Sequence, residues 1–285
     1  MERVMQRVRN KSEISEDILE PVGVPMPFDQ SDNEGWGVCT LRSKRRLGKS
    51  SLVRYDFDLP RTEYILPLEL GQQISLCCLD SNENVAKGDF YPYQPEPKIP
   101  TGSFSILAPN HPSPNDNELA VGRDTANFCR VLKQDMRVGD EIAIKPGSRK
   151  LHYKGQYLPV TDMVYVCFGV GVVPVLEQVR AVLPKGSSSV NVVTVVWINH
   201  NAKEFDVNAE LLEKEYMKYK TKLAVLCIVE DLSITSMDDN VEISEAIPDF
   251  QPGTMAVLAG PEQYVENAVQ FLEDRGFPSD CICVL

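Results

Sequence analysis

Histidine is scarce in this chain, which carries three, His111, His152 and His200, far apart in sequence. That excludes a histidine-based metal centre, which needs several imidazoles within reach of one ion. Basic residues are also in deficit: 29 Lys and Arg stand against 41 Asp and Glu, for a net charge of −12. The balance argues against nucleic acid as the main partner and suits a docking partner that is basic or neutral. No apolar run is long enough to cross a bilayer, and residues 1–21 lack the apolar core of a signal peptide. Glu13, Glu16, Asp17 and Glu20 also disfavour an intact organelle transit peptide. The expected setting is a reducing one, the cytoplasm, or a stroma or matrix if a targeting segment has been removed. The eight cysteines follow no disulfide or zinc spacing. Cys78, Cys129, Cys167 and Cys227 lie inside apolar runs and read as buried, reduced thiols. The one basic cluster, Arg42, Lys44, Arg45, Arg46 and Lys49, reads as a solvated turn between two strands.

What the chain does have is one apolar strand that runs through Gly169-x-Gly171-x-x-Pro174 straight into an amphipathic helix. Glycines there let the backbone turn sharply and approach a ligand, and the helix N-terminus behind them favours a phosphate. The strand-to-helix context is what such a motif requires. A tight turn with no ligand uses the same residues, and both readings stand on the motif alone.

At 285 residues the chain is expected to form two domains. Residues 1–35 are polar, carry Pro21, Pro25 and Pro27, and read as an arm with a short helix near its start. From 36 to 159 the pattern is β, with strands expected at 36–41, 51–59, 72–79, 103–107 and 141–144, a helix at 125–133 and a loop at 110–117. Short strands separated by turn residues predict a small barrel. From 160 to 285 strands at 163–168, 191–198, 222–229, 254–258 and 281–285 alternate with helices at 172–182, 208–219 and 261–275. That alternation predicts an α/β doubly wound parallel sheet with helices on both faces. Its ligand crevice is expected at the carboxyl ends of the strands, where 169–174, 199–206 and 260–263 fall. Gly48-Lys-Ser50 imitates a phosphate loop, but Ser43 replaces its first glycine and strands flank it on both sides, so it reads as a hairpin turn.

These segments, in this order, resemble the ferredoxin–NADP reductase superfamily, and within it NADH–cytochrome b5 reductase most of all. The resemblance runs from Trp36 to Leu285. Leu70-Gly-Gln-Gln-Ile-Ser-Leu76 is similar to the family's Gly-Gln strand, and Tyr91-Pro-Tyr-Gln-Pro95 stands where the family has Arg-Pro-Tyr-Thr-Pro. Gly122-Arg-Asp-Thr125 stands in place of Gly-Lys-Met-Ser, and Ala259-Gly-Pro261 in place of Cys-Gly-Pro. The resemblance implies a flavin-binding barrel and a nicotinamide-binding α/β domain, with FAD taking hydride from NAD(P)H and releasing electrons singly to an acceptor protein. It implies that Tyr93 packs on the flavin and that Gly122, Arg123 and Thr125 face its diphosphate. Gly169, Gly171 and Pro174 would shape the nicotinamide crevice, with Gly260 and Pro261 on its far wall. Glu204 aligns with an acidic residue of NADH-preferring members; a carboxylate there accepts ribose hydroxyls and repels a 2′-phosphate, favouring NADH over NADPH. A solvated loop charge is the other reading of Glu204.

The departures fall on both cofactor sites. Tyr91 replaces the arginine that neutralises the flavin pyrophosphate, so a charge-assisted contact is lost, and Gln94 replaces the hydroxyl residue at flavin N5. Valines replace the threonines of the nicotinamide loop, and Ala259 replaces a cysteine. Three functions follow. One is an FAD-dependent oxidoreductase, leaning to NADH, that serves a one-electron acceptor protein. Another is a non-catalytic, reductase-like subunit that keeps the scaffold for assembly in a larger complex, and the third is a flavin-binding protein that no longer takes nicotinamide. No residue carries a catalytic assignment, and no metal is expected.

Overall fold

The computed structural model describes residues 23–28, 35–96, 100–110, 123–149, 160–184, 189–230 and 237–285. The expected helix in the arm, most of the expected 110–117 loop, His111, His152 and Gly122 lie outside the described residues. Among the described residues, no helix is long and apolar enough to cross a membrane.

The N-terminal half is built on six antiparallel strands: β2 (Gly37–Arg46), β3 (Leu52–Asp58), β5 (Gln72–Leu79), β6 (Val85–Phe90), β7 (Ser103–Pro109) and β8 (Glu141–Arg149). They pair in the order β6-β5-β8-β2-β3-β7 to give a barrel-like sheet. Alternation fills its interior: Leu41, Phe57, Ile74, Leu76, Ile106, Ile142 and Ile144 point into one core. Helix α1 (Arg123–Gln134) packs on β6 through Phe128 and Phe90, whose ring centroids lie 5.6 Å apart. A short parallel pair, β1 (Val24–Pro25) with β4 (Tyr64–Ile65), ties residues expected in the arm to the barrel, and Met26 enters the barrel core.

The C-terminal half is a five-stranded parallel sheet in the order β11-β10-β9-β12-β13. Its strands are β9 (Asp162–Phe168), β10 (Val192–Asn199), β11 (Leu223–Val229), β12 (Thr254–Ala259) and β13 (Ile282–Val284). Helices α2 (Val172–Val182), α3 (Ala209–Lys218), α4 (Val241–Ala246) and α5 (Glu262–Asp274) flank it. In β9, Met163, Tyr165 and Cys167 face one core while Val164, Val166 and Phe168 face the other. A central strand buried on both faces has no polar side to show, which is why this stretch is an unbroken apolar run.

The structure corrects several expectations. The basic cluster is largely on strand β2 rather than in a turn. Lys44 there donates to the carbonyls of Leu132 (2.6 Å) and Met136 (2.7 Å) and so caps the C-terminal end of α1. Arg42 and Arg45 pair across the ladder with Asp58 and Asp56. Cys227 is exposed, because β11 is an edge strand. Strand β6 had no sequence expectation, and β8 runs on through Pro146 to Arg149, past the expected end at 144. Gly48-Lys-Ser50 is the β2–β3 hairpin turn, as its flanking strands indicated.

Candidate functional site

The carboxyl ends of β9, β10 and β11 open toward the barrel. Gly169, with φ +54°, begins a single 3₁₀ turn, Gly169–Gly171, that swings the chain from β9 into α2. The indole N–H of Trp197 on β10 donates to the Gly169 carbonyl at 2.9 Å and fixes this turn from the neighbouring strand. Gly171 serves packing: a Cβ there would lie 2.2 Å from the Ala259 carbonyl oxygen, so the start of α2 rests directly on the end of β12. Gly260, at φ +150°, is likewise pressed against Phe168, and Pro261 is the N-cap of α5. Pro174 falls in the first turn of α2, where a missing N–H costs no helical bond.

A cavity of about 150 Å³ lies at this edge, between the Gly169 turn, the ends of β10 and β11, and Ser51, Leu52 and Leu107 of the barrel. Two asparagines that line it are buried, Asn199 at 5% and Asn208 at 1% exposure. Asn199 Nδ2 and both side-chain polar atoms of Asn208 have no protein partner. Buried amides left this way cost free energy until a polar ligand or water satisfies them. The Tyr264 hydroxyl and His200 Nε2, also on the cavity wall, are 2.9 Å apart.

Across the boundary the barrel presents the 91–95 segment. Tyr93 is 7% exposed and joins Leu52 and Leu107 of the barrel to Val173 of α2 in one apolar cluster. The Arg54 guanidinium stands 5.5 Å from its ring centroid. Tyr91 packs against the α/β core, and its hydroxyl is buried without a partner. Burial pushes that phenol well above its usual range, so it remains a neutral donor. The Gln94 and Pro95 carbonyls accept from Arg180 of α2, at 2.8 and 3.2 Å. Behind this segment lies a second cavity of about 330 Å³, lined by Leu66, Leu70, Tyr93, Gln94, Ser105 and Glu177 among others. Burial there raises the Glu177 carboxyl to about 7, although the Arg180 charge acts the other way.

The remaining expected residues are more dispersed. Thr125 is buried in the first turn of α1, and its Oγ1 accepts from Asp89 N at 3.2 Å. Arg123 opens α1, with its side chain outside the described residues. Glu204 sits on the 3₁₀ turn Ala202–Val207, and the barrel hairpin takes its carboxylate through Ser50 and Ser51. The structure thus brings Tyr91, Tyr93, Gln94, Gly169 and Glu204 to one domain boundary, while the Gly260 turn packs on Phe168 within the α/β domain. Sequence reading missed Arg180, Asn208 and Trp197. Asn199 fell within the 199–206 stretch expected at the crevice, by its place at a strand's carboxyl end, but carried no role of its own.

A flavin is the group that the sequence resemblance brings to the barrel side of this boundary, where the cavity of about 330 Å³ adjoins Tyr93 and Gln94. The unpartnered Tyr91 hydroxyl is a buried donor in the same segment, while Asn199 Nδ2 belongs to the smaller cavity at the sheet edge. In the closed arrangement seen here Tyr93 shares its cluster with Val173, so a flavin ring against Tyr93 takes the place of protein contacts.

No family model matches the sequence. The chain is 23% identical over 252 residues to inducible nitrate reductase [NADH] 2 of Glycine max, covering 84% of this chain but 27% of that protein. It is 24% identical over 261 residues to NADH-cytochrome b5 reductase 1 of Laccaria bicolor, covering 89% of this chain and 77% of the relative. Among solved structures, the cytochrome b5 reductase domain of Ulva prolifera nitrate reductase superposes with a TM-score of 0.69 at 17% identity, covering 91% of this chain and all (100%) of that one. A ferredoxin NADP+ reductase from Neisseria gonorrhoeae with bound FAD and NADP gives 0.61 at 14% identity, covering 88% and 98%. The chain therefore resembles NADH–cytochrome b5 reductases in sequence and has the two-domain reductase fold.

Proposed function

We propose that this chain is an oxidoreductase of the cytochrome b5 reductase type, which oxidises NADH and passes electrons by way of FAD to a one-electron acceptor protein. The observation that supports it is a juxtaposition. A glycine turn and a cavity with unpartnered buried amides, at the carboxyl edge of a parallel sheet, face Leu52, Leu107 and Tyr93 of the barrel. That edge is where open α/β sheets take their ligands. Bound FAD supplies the conversion of hydride to single electrons.

The chain's own residues then bind and orient. The barrel, within 36–159, holds the flavin, and 160–285 holds the nicotinamide nucleotide. Tyr93 offers an aromatic surface, while Tyr91 and Gln94 offer neutral donors where an arginine and a hydroxyl are the family pattern. Thr125 already accepts from Asp89 N, which leaves its hydroxyl hydrogen for a phosphate oxygen, with Arg123 at the start of the same helix. Gly169, Gly171 and Pro174 shape the nicotinamide side, and Gly260 and Pro261 close it. Glu204 marks the ribose side and favours NADH by repelling a 2′-phosphate. The net charge of −12 suits an acceptor with a basic docking face.

A second reading, a reductase-like subunit of a larger complex without redox chemistry, draws on the direct packing of Tyr93 with Val173 and on Tyr91 in place of an arginine. The visible absorption spectrum separates the two, taken on purified protein and again after incubation with FAD and desalting. Retained flavin bands that bleach with NADH support the reductase. A protein that stays colourless supports the subunit.

A further inference from the structure

We propose that Glu204 is a clasp between the two domains, and that the β2–β3 hairpin competes with a nucleotide for its carboxylate. The competition rests on the nucleotide reading of the crevice given above; the clasp itself does not.

Both carboxylate oxygens are engaged. Ser50 Oγ donates to Oε2 at 2.8 Å, and the Ser51 backbone N–H lies 3.1 Å from Oε1 and 3.3 Å from Oε2. Ser50 is fully buried, and its oxygen accepts from Leu52 N at 3.0 Å. A hydroxyl has one hydrogen, and with its oxygen committed to Leu52 that hydrogen is directed to Glu204. Hydrogen bonds to an ionised acceptor are among the stronger kind. The tip of the same hairpin also leans on the 3₁₀ turn: a Cβ on Gly48 would be 3.7 Å from Asp206 Oδ2. The turn is itself fixed, since the Asn201 side chain accepts from Lys203 N at 3.0 Å.

The hairpin is therefore a wall of the cavity into which a dinucleotide would bind, because Ser51, Leu52 and Glu204 line it together. A carboxylate offers about four lone-pair sites, and here the hairpin takes sites on both oxygens and fixes the group's orientation. Closure and ribose recognition draw on one group. In this proposal a nucleotide that binds through Glu204 releases the hairpin, and its apparent affinity falls by the fraction of molecules that are closed.

Amide hydrogen exchange at Ser51, with ADP-ribose as probe, tests this, together with calorimetry of ADP-ribose binding. The Ser51 amide is expected to be protected in the wild type, to lose that protection in Glu204→Ala, and to exchange faster when ADP-ribose saturates the wild type. Ser50→Ala leaves the carboxylate intact but loosens the clasp, and is expected to tighten ADP-ribose about 3- to 10-fold. Equal exchange at Ser51 in wild type and Glu204→Ala overturns the clasp, and this comparison needs no change at Ser50. Binding by Ser50→Ala that is unchanged or weaker, or Ser51 protection that ADP-ribose does not alter, overturns the competition. If ADP-ribose binds neither the wild type nor Ser50→Ala, the nucleotide reading and the competition fall together, while Glu204-dependent protection of Ser51 would still establish the clasp.

Discussion

Arg180 on α2 crosses the domain boundary and holds Gln94, its guanidinium donating to the Gln94 carbonyl at 2.8 Å. The same fork reaches the Pro95 carbonyl at 3.2 Å and the Glu215 carboxylate at 3.0 Å. The position of the 91–95 segment, and so of Tyr91, Tyr93 and Gln94, is set in part by a residue of the other domain. One planar guanidinium satisfies a carboxylate and two carbonyls in fixed directions, which an ammonium cannot copy.

Replacing Arg180 by methionine is expected to destabilise the fold by about 2–5 kcal/mol, because Glu215 and two carbonyls lose their partner in a largely buried setting. Lysine at this position is expected to restore less than half of the loss. Urea denaturation of the three proteins checks both statements, and a lysine variant as stable as wild type would show that charge alone suffices.

Glu177, near Arg180 on the wall of the larger cavity, gives a prediction in pH. Burial raises its carboxyl to about 7, against the Arg180 charge, from an ordinary 4.5. The folded state therefore binds this proton more tightly than the unfolded chain does. Its contribution to stability is full below the ordinary value and falls as pH rises from 4.5 to about 7, with no further change above. Glu177→Gln is expected to remove that slope and to be relatively more stable at pH 8 than at pH 4. Parallel pH profiles of the denaturation midpoint for wild type and variant would sink the idea by not converging toward acid.

How much of this was legible in the sequence follows from burial and pairing. Strands β9 and β12 were plain because a strand covered on both faces must be apolar throughout. Strand β6 was not, since Val85–Phe90 buries only every second residue and interrupts the pattern with Lys87, Gly88 and Asp89. Strand β8 was cut short in the reading by Pro146-Gly147, a turn signal; in the structure a register shift opposite, between Gln72 and Ile74, accommodates it. Of the basic residues of β2, Arg42, Arg45 and Arg46 are exposed as read, while Lys44 was misread because its partners at the end of α1 are remote in sequence. At the site, the glycine turn was legible from its spacing. Asn199 was legible only by its place in the 199–206 stretch and Asn208 not at all, because an amide becomes conspicuous only when it is buried without a partner.

Asp56 illustrates the remote pairing and carries its own test. Its side chain is 1% exposed and bonds Arg54 at 2.6 Å, Arg45 at 2.7 Å and Ser105 at 2.7 Å, with Ser43 as a further donor. Burial acts to raise the carboxyl, but the bonds from Ser43, Ser105 and Arg45, with the Arg54 charge, outweigh it and hold it well below the usual range. The stability it contributes is present above the ordinary value of 3.8 and is lost as pH falls below that toward the folded value. Asp56→Asn is expected to cost about 2–4 kcal/mol at neutral pH, by leaving two guanidinium groups short of a charge. The difference between the two proteins should shrink in acid, and chemical denaturation at pH 7 and pH 3 measures it.

Gly171 separates two explanations of the glycine motif. Read as ligand contacts, both glycines of Gly169-x-Gly171 would be spared for the approach of a nucleotide, and alanine would affect binding alone. The structure puts Gly171 under the end of β12, with Cβ space filled by the Ala259 carbonyl at 2.2 Å, although its φ of −58° suits any residue. Backbone cannot yield as a side-chain tip does, so alanine has to push α2 away from the sheet. Gly171→Ala is therefore expected to lower stability by about 1–3 kcal/mol, as overpacking does, with or without any ligand present. Gly169 fails differently: at φ +54° alanine is disfavoured by about 1 kcal/mol through its backbone alone. Thermal denaturation of both variants in ligand-free buffer decides the matter. If Gly171→Ala melts like wild type, the packing account is wrong and the glycine belongs to the ligand.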